Sequence, residues 1–155
     1  HLRGREADRK RRLRRGLGSY QHACGQGGRL SNRYVIGEVA VEVAPDQTIF
    51  ASVTLKSLRE LGLCIGREAI VLIKAPFVMI ARDEETLMTS ARNAISGTVL
   101  RCEKSPINAE VVIDIGGGKT LAAHISAHSA KALQIEEGKH VKALFDSSHV
   151  IIAID

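Results

Sequence analysis

In "LMTSARNAISGTV", residues 87–99, two hydroxyls, a guanidinium and a carboxamide fall within five positions, as Thr89, Ser90, Arg92 and Asn93. The pattern after Asn93 predicts a β-strand, so these donors stand where a strand begins. Thr54 and Ser57 form a second group. They bracket the start of a predicted helix, where unpaired backbone N–H groups and the dipole favour an anion. Lys74, in "LIKAPFV", interrupts an apolar run near a strand end and is either an edge charge or a ligand to something negative. The combined inventory is hydroxyls, cations and N–H donors, without a carboxylate. Such a shell suits a fully deprotonated oxyanion. It disfavours a phosphate that keeps a proton, because that proton finds no acceptor. The plainer alternative is that Thr54 and Ser57 only cap a helix and Arg92 is a surface charge.

The elements that must position these groups follow from a repeat. "VMIARD" at 78–83 and "VIIAID" at 150–155 are offset by 72 residues. The same offset sets Glu38 on Glu110, Thr48 on Thr120, Ser57 on Ser129, Leu61 on Leu133 and Gly66 on Gly138 without a gap. The chain is therefore an internal duplication. Each copy reads as a strand (37–44 or 109–115), a turn, and a second strand (48–54 or 120–126). A short helix (55–63 or 127–135) comes next, capped by Thr54 or Ser126. Two further strands follow, "REAIVLIKA" and "FVMIA", or "KHVKALFD" and "HVIIA". With the strand after TSARN, each copy has about five short strands and one helix, the inventory of a small OB-like barrel. The expected fold class is all-β: two tandem OB-like five-stranded antiparallel barrels. The division is 1–16 as a basic arm or linker, 17–86 as the first repeat with a degenerate start, and 87–155 as the second. Residues 1–34 fit no strand of this barrel.

Composition narrows the function. The chain has 155 residues and a net charge of +5. Residues 1–16 carry eight Arg or Lys against two acids, so the remainder is close to neutral. The basic character belongs to the arm, which could touch nucleic acid or lipid or be a solvated linker. No apolar run reaches the length of a membrane span and no signal-peptide core is present. Cys24, Cys64 and Cys102 are odd in number and lack CxxC spacing, which reads as free thiols in a reducing compartment. A cytoplasmic location follows as the expectation. The first residue is His1 and not Met, which suggests a fragment of something longer.

Three tempting motifs carry little. "GGGKT" at 116–120 lacks the leading glycine of a P-loop and lies between two strands, so it reads as a hairpin turn. His124 and His128 are four apart, but one is on a strand and the other opens a helix, so no metal site is expected. No nucleophile–base–orienter set is recognisable, so no enzyme is expected. An OB barrel can bind nucleic acid by stacking bases on aromatics, yet Tyr20, Tyr34, Phe50, Phe77 and Phe145 are not interleaved with Lys or Arg. An OB-type nucleic-acid module using the basic arm is the alternative function.

"TSARNAISGTV", "INAEVVIDIGGGKTL" and "IEEGKHVKALF" resemble the molbindin (Mop) domain of the TOBE family, and the first copy resembles it equally. A tandem pair is similar to di-Mop molybdate-binding proteins and to the C-terminal half of molybdate-responsive transcription regulators. The resemblance covers roughly residues 35–155. It implies OB-like barrels, a homodimer or higher oligomer, and molybdate or tungstate bound at subunit interfaces, for storage or for sensing. DNA would be met only through a domain absent from this chain. Residue by residue, it implies oxyanion-binding roles for Ser90 and Arg92, for the cap hydroxyls Thr54 and Ser57, and for Lys74 with Ala75. Thr89, Asn93, Ser126 and Ser129 are secondary candidates. The second copy departs at the lysine, where Asp146-Ser147 stands; a carboxylate there repels a dianion and argues against a full site in that copy. The first copy departs at TSARN, where residues 17–21 have no arginine.

Overall fold

A computed structural model describes residues 11–14, 36–83 and 88–154. Its strands are β1 (Arg11–Arg14), β2 (Ile36–Ala44), β3 (Gln47–Thr54), β4 (Glu68–Ile73), β5 (Met79–Arg82), β6 (Asn93–Lys104), β7 (Asn108–Gly116), β8 (Lys119–Ser126), β9 (His140–Phe145) and β10 (Val150–Ala153). The helices are α1 (Leu55–Glu60) and α2 (Ala127–Ala132). Each stops about a turn earlier than the sequence suggests. The chain reverses there through the left-handed region, at Gly62 (φ 59°) in one copy and Gln134 (φ 54°) in the other. Leu63 and Ile135, expected on the helices, stay buried just beyond them.

The strands form two five-stranded antiparallel sheets, in the orders β10-β4-β1-β2-β3 and β5-β9-β6-β7-β8. The edge strands of each sheet approach one another, β3 toward β10 and β5 toward β8, so each sheet curls into an OB-like barrel. The two copies exchange their last strands. β10 pairs with β4, Val150 opposite Ile73, while β5 pairs with β9, Met79 opposite Leu144. A 3₁₀ turn before each exchanged strand, Ala75–Phe77 and Ser147–His149, carries the crossing. The sequence pattern expects the flanking strands to overlap these turns, at Ala75 and Phe77 in the first and at His149 in the second. Pro76 in the first, and the Asp146 side chain accepting from Ser148 N–H in the second, break the ladder there.

The sequence pattern places no strand of the barrel within residues 1–34. Arg11–Arg14 corrects this over four residues: β1 lies between β2 and β4, Leu13 opposite Val41 and Arg12 opposite Glu68. The thiol reading is corrected too, since Cys64 is disulfide-bonded while Cys102 is free.

Alternation along β2–β3 and β7–β8 buries one face of each hairpin. Val39, Val41 and Ile49, and their repeats Val111, Ile113 and Leu121, belong to one continuous apolar cluster. The opposite faces carry Glu38, Phe50, Ser52 and Thr54, or Glu110, Ala122, His124 and Ser126. That outer face matters for the site. Gly117 and Gly118 (φ 60° and 70°) turn the β7–β8 hairpin, as expected for "GGGKT".

Candidate functional site

Strand exchange makes each copy cover the outer face of the other's β-hairpin. On the first copy, the segment before β6 lies across β3. Asn93, 1% exposed, fixes it: its carboxamide accepts from Phe50 N–H at 2.7 Å and donates to Phe50 C=O at 2.9 Å. β3 is a sheet edge, so this amide satisfies backbone groups that a neighbouring strand would otherwise take. One residue earlier, Arg92 lays its guanidinium over the Phe50 ring, 3.6 Å from the centroid. Its Nε and Nη2 donate to Glu38 Oε2 and Oε1 at 3.1 and 3.0 Å, a bidentate pair. Thr89 Oγ1 accepts from Ala91 N–H at 3.1 Å and tightens the turn that carries Ser90.

Ser90 and Ala91 open on a cleft of about 320 Å³ shared with Pro76, Phe77, Met79, Asp146 and His149. Phe77 and His149, which the duplication makes equivalent, stack there with centroids 4.1 Å apart. Hydrogen bonds from the Ser148 hydroxyl and then its backbone N–H hold the Asp146 carboxyl below the ordinary range. Nearby, Ser147 Oγ lies 2.8 Å from Ser52 Oγ and ties the second copy's 3₁₀ turn to β3.

The cap hydroxyls behave as the sequence suggests. Thr54 Oγ1 accepts from Ser57 N–H at 3.1 Å and donates to Ser57 Oγ at 2.9 Å. Ser126 and Ser129 repeat the arrangement at 3.0 and 2.9 Å. Lys74 is exposed, and its ammonium has no ion-pair partner among the described residues. The turn that follows it packs on β8. Ala75 there lines a second cavity of about 370 Å³ with Arg101, Glu110, Val112, Thr120, Ala122 and His124. This is the counterpart of the Phe50 face, with Ala122 in place of the ring.

The candidates therefore fall into groups and do not converge on one point within the chain. Ser90 and Arg92 share a turn anchored on β3. Thr54 and Ser57 are bonded to each other at the start of α1. Lys74 and Ala75 go to the second copy's face, beside the strand that leads to Ser126. Asn93 uses both ends of its amide on Phe50 and acts through position. The expectation of a shell without carboxylates is corrected. Glu38 pairs with Arg92, and Asp146 shares a cleft with Ser90. Strand exchange explains Asp146, since it brings a second-copy turn beside the first copy's sheet. The sequence reading missed Glu38 and Phe50; an outward position on a strand looks the same whether it meets solvent or an arginine. Among the described residues no group of three or more metal-ligating side chains occurs, and no helix is long and apolar enough to cross a membrane.

Two OB-like barrels stand in one chain, locked by exchanged strands and carrying an anchored Ser-Ala-Arg-Asn turn. The TOBE domain matches residues 33–80 and 89–152, and the chain belongs to that family. It is 36% identical over 120 residues to the molybdenum-pterin-binding protein MopB of Rhodobacter capsulatus, covering 77% of this chain and 44% of MopB. It is 35% identical over 102 residues to the DNA-binding transcriptional dual regulator ModE of Escherichia coli K12, covering 66% of this chain and 38% of ModE. The chain thus spans less than half the length of these relatives. Among solved structures it is similar to ModG, a cytoplasmic molybdate-binding protein crystallised with molybdate bound. The TM-score is 0.76 at 28% identity, over 94% of both chains.

Proposed function

We propose that the chain binds molybdate or tungstate as the dianion and performs no catalysis, acting as an intracellular store or as the sensing part of a regulator. The likeness to ModG over 94% of both chains carries this reading. The site chemistry supports it: a tetrahedral dianion takes charge-assisted hydrogen bonds from hydroxyls, cations and backbone N–H groups. Ser90 and Arg92 supply one half of a clamp. Thr54, Ser57, Lys74 and Ala75 supply the other, and a second copy of the chain completes sites that one chain leaves divided. Ser126 and Ser129 cap the second copy's helix in the same way, while Thr89 and Asn93 hold the Ser90–Arg92 turn in place. The relation to ModE supports the sensing use, in which DNA is contacted by a domain outside this chain.

Calorimetric titration with molybdate, with sulfate and phosphate as controls, tests the reading. The expected result is saturable heat for molybdate and weaker binding of the smaller sulfate. Arg92→Ala and Lys74→Ala should each weaken molybdate binding by about tenfold or more, since each removes a charge-assisted bond. Binding unchanged in both variants would overturn the site assignment.

A further inference from the structure

Arg92 is the cation of the anchored turn, and two of its five N–H donors are already engaged. Glu38 takes the Nε–Nη2 edge through two bonds of 3.1 and 3.0 Å, with the two side chains 39% and 31% exposed. That edge is a planar two-donor fork of the kind that binds an oxyanion bidentately. The guanidinium does not need Glu38 to stay where it is. Phe50 supports its face, 3.6 Å away. The backbone on either side is fixed by Thr89 and by the buried Asn93 amide. With the plane held from below, only the partner along its edge has to change when an anion arrives. Glu38 is left with one electrostatic effect, which is to oppose a second anion at the same arginine.

We propose that Glu38 sets the affinity of the oxyanion site, as an internal carboxylate that competes with the incoming dianion for the Nε–Nη2 edge of Arg92. The proposal rests on the oxyanion reading above and deepens it. Glu38 competes for the donors and its charge repels the ligand, so the site responds only when the anion is abundant enough to win the exchange. Removing the charge while keeping the shape, as in Glu38→Gln, leaves Arg92 on Phe50 with its fork available.

The test is calorimetric titration of the full chain with sodium molybdate, for the unsubstituted protein, Glu38→Gln, Arg92→Ala and the double variant. Circular dichroism melts verify that each is folded. Glu38→Gln should tighten binding about tenfold, the effect of removing one like charge beside a partly exposed anion site. In the Arg92→Ala background the same change should alter binding by less than about twofold, because the exchange no longer exists. Weaker binding by Glu38→Gln would make Glu38 a support for Arg92 and overturn the proposal. An equal gain with and without Arg92 would reduce it to bulk charge and overturn it as well. If the unsubstituted chain binds and Glu38→Gln is unchanged, this proposal alone fails. If no form binds molybdate, the oxyanion reading fails and takes the proposal with it.

Discussion

Truncating Asn93 to alanine removes the amide that closes the edge of the first barrel, and the cost can be worked from its bonds. The side chain is 1% exposed, accepts from Phe50 N–H at 2.7 Å and donates to Phe50 C=O at 2.9 Å. Two hydrogen bonds at about 1 kcal/mol each, plus about 1 kcal/mol for a partly buried N–H left unpaired, give about 3 kcal/mol. For a chain of this size that is a fall of about 6–12 °C in Tm. Asn93→Asp should be no milder, because it loses the donated bond and leaves a carboxylate in a buried place. Urea unfolding followed by circular dichroism reads the free energy, and a thermal melt reads Tm. The two edges of β3 are not equivalent: β2 satisfies one, and Asn93 serves the other at Phe50. A loss below about 1 kcal/mol would refute the reasoning, since it would mean water or a relaxed backbone replaces both bonds.

Other substitutions probe the frame. A Cβ at Gly97 would lie 2.5 Å from Asp114 O and 2.4 Å from Ile113 Cγ2, so Gly97→Ala should cost about 3 kcal/mol in the same unfolding assay. Gln134 holds φ 54° where the first copy has Gly62, so Gln134→Gly should stabilise by about 0.5–1 kcal/mol and raise Tm. Asp146 has a folded pKa below its ordinary value, so its contribution is complete above the ordinary aspartate pKa. It is lost as pH falls through the lowered one. Asp146→Asn should therefore flatten the acid limb of the stability–pH curve and leave its slope near neutrality unchanged.

The barrel inventory was legible because duplication doubles every signal. Strand alternation in "GEVAVEVA" is repeated in "AEVVIDI", and the caps Thr54 and Ser126 sit at the same offset. The last strands pair across copies, and this was not legible. "FVMIA" and "HVIIA" are near-identical apolar runs, so either barrel offers each an equally good edge. The 3₁₀ turns at Ala75–Phe77 and Ser147–His149 lead each strand into the other barrel. The donor residues could be picked out by type, since hydroxyls, Arg and Lys recur around anions. Their grouping could not. Glu38 lies 54 residues from Arg92, and Asp146 faces Ser90 only because the copies interlock. β1 escaped notice because "RRLR" has no strand-like alternation and is held by its neighbours β2 and β4.

The most direct test of the central claim is to locate the anion. Crystals of the chain grown with molybdate, with data collected at the molybdenum absorption edge, give its position from anomalous scattering alone. A peak is expected within hydrogen-bonding distance of Ser90 and Arg92, at a contact between two copies of the chain. Ordered molybdenum only at places remote from the Ser90–Arg92 turn, or none there with that turn free of crystal contacts, would contradict it.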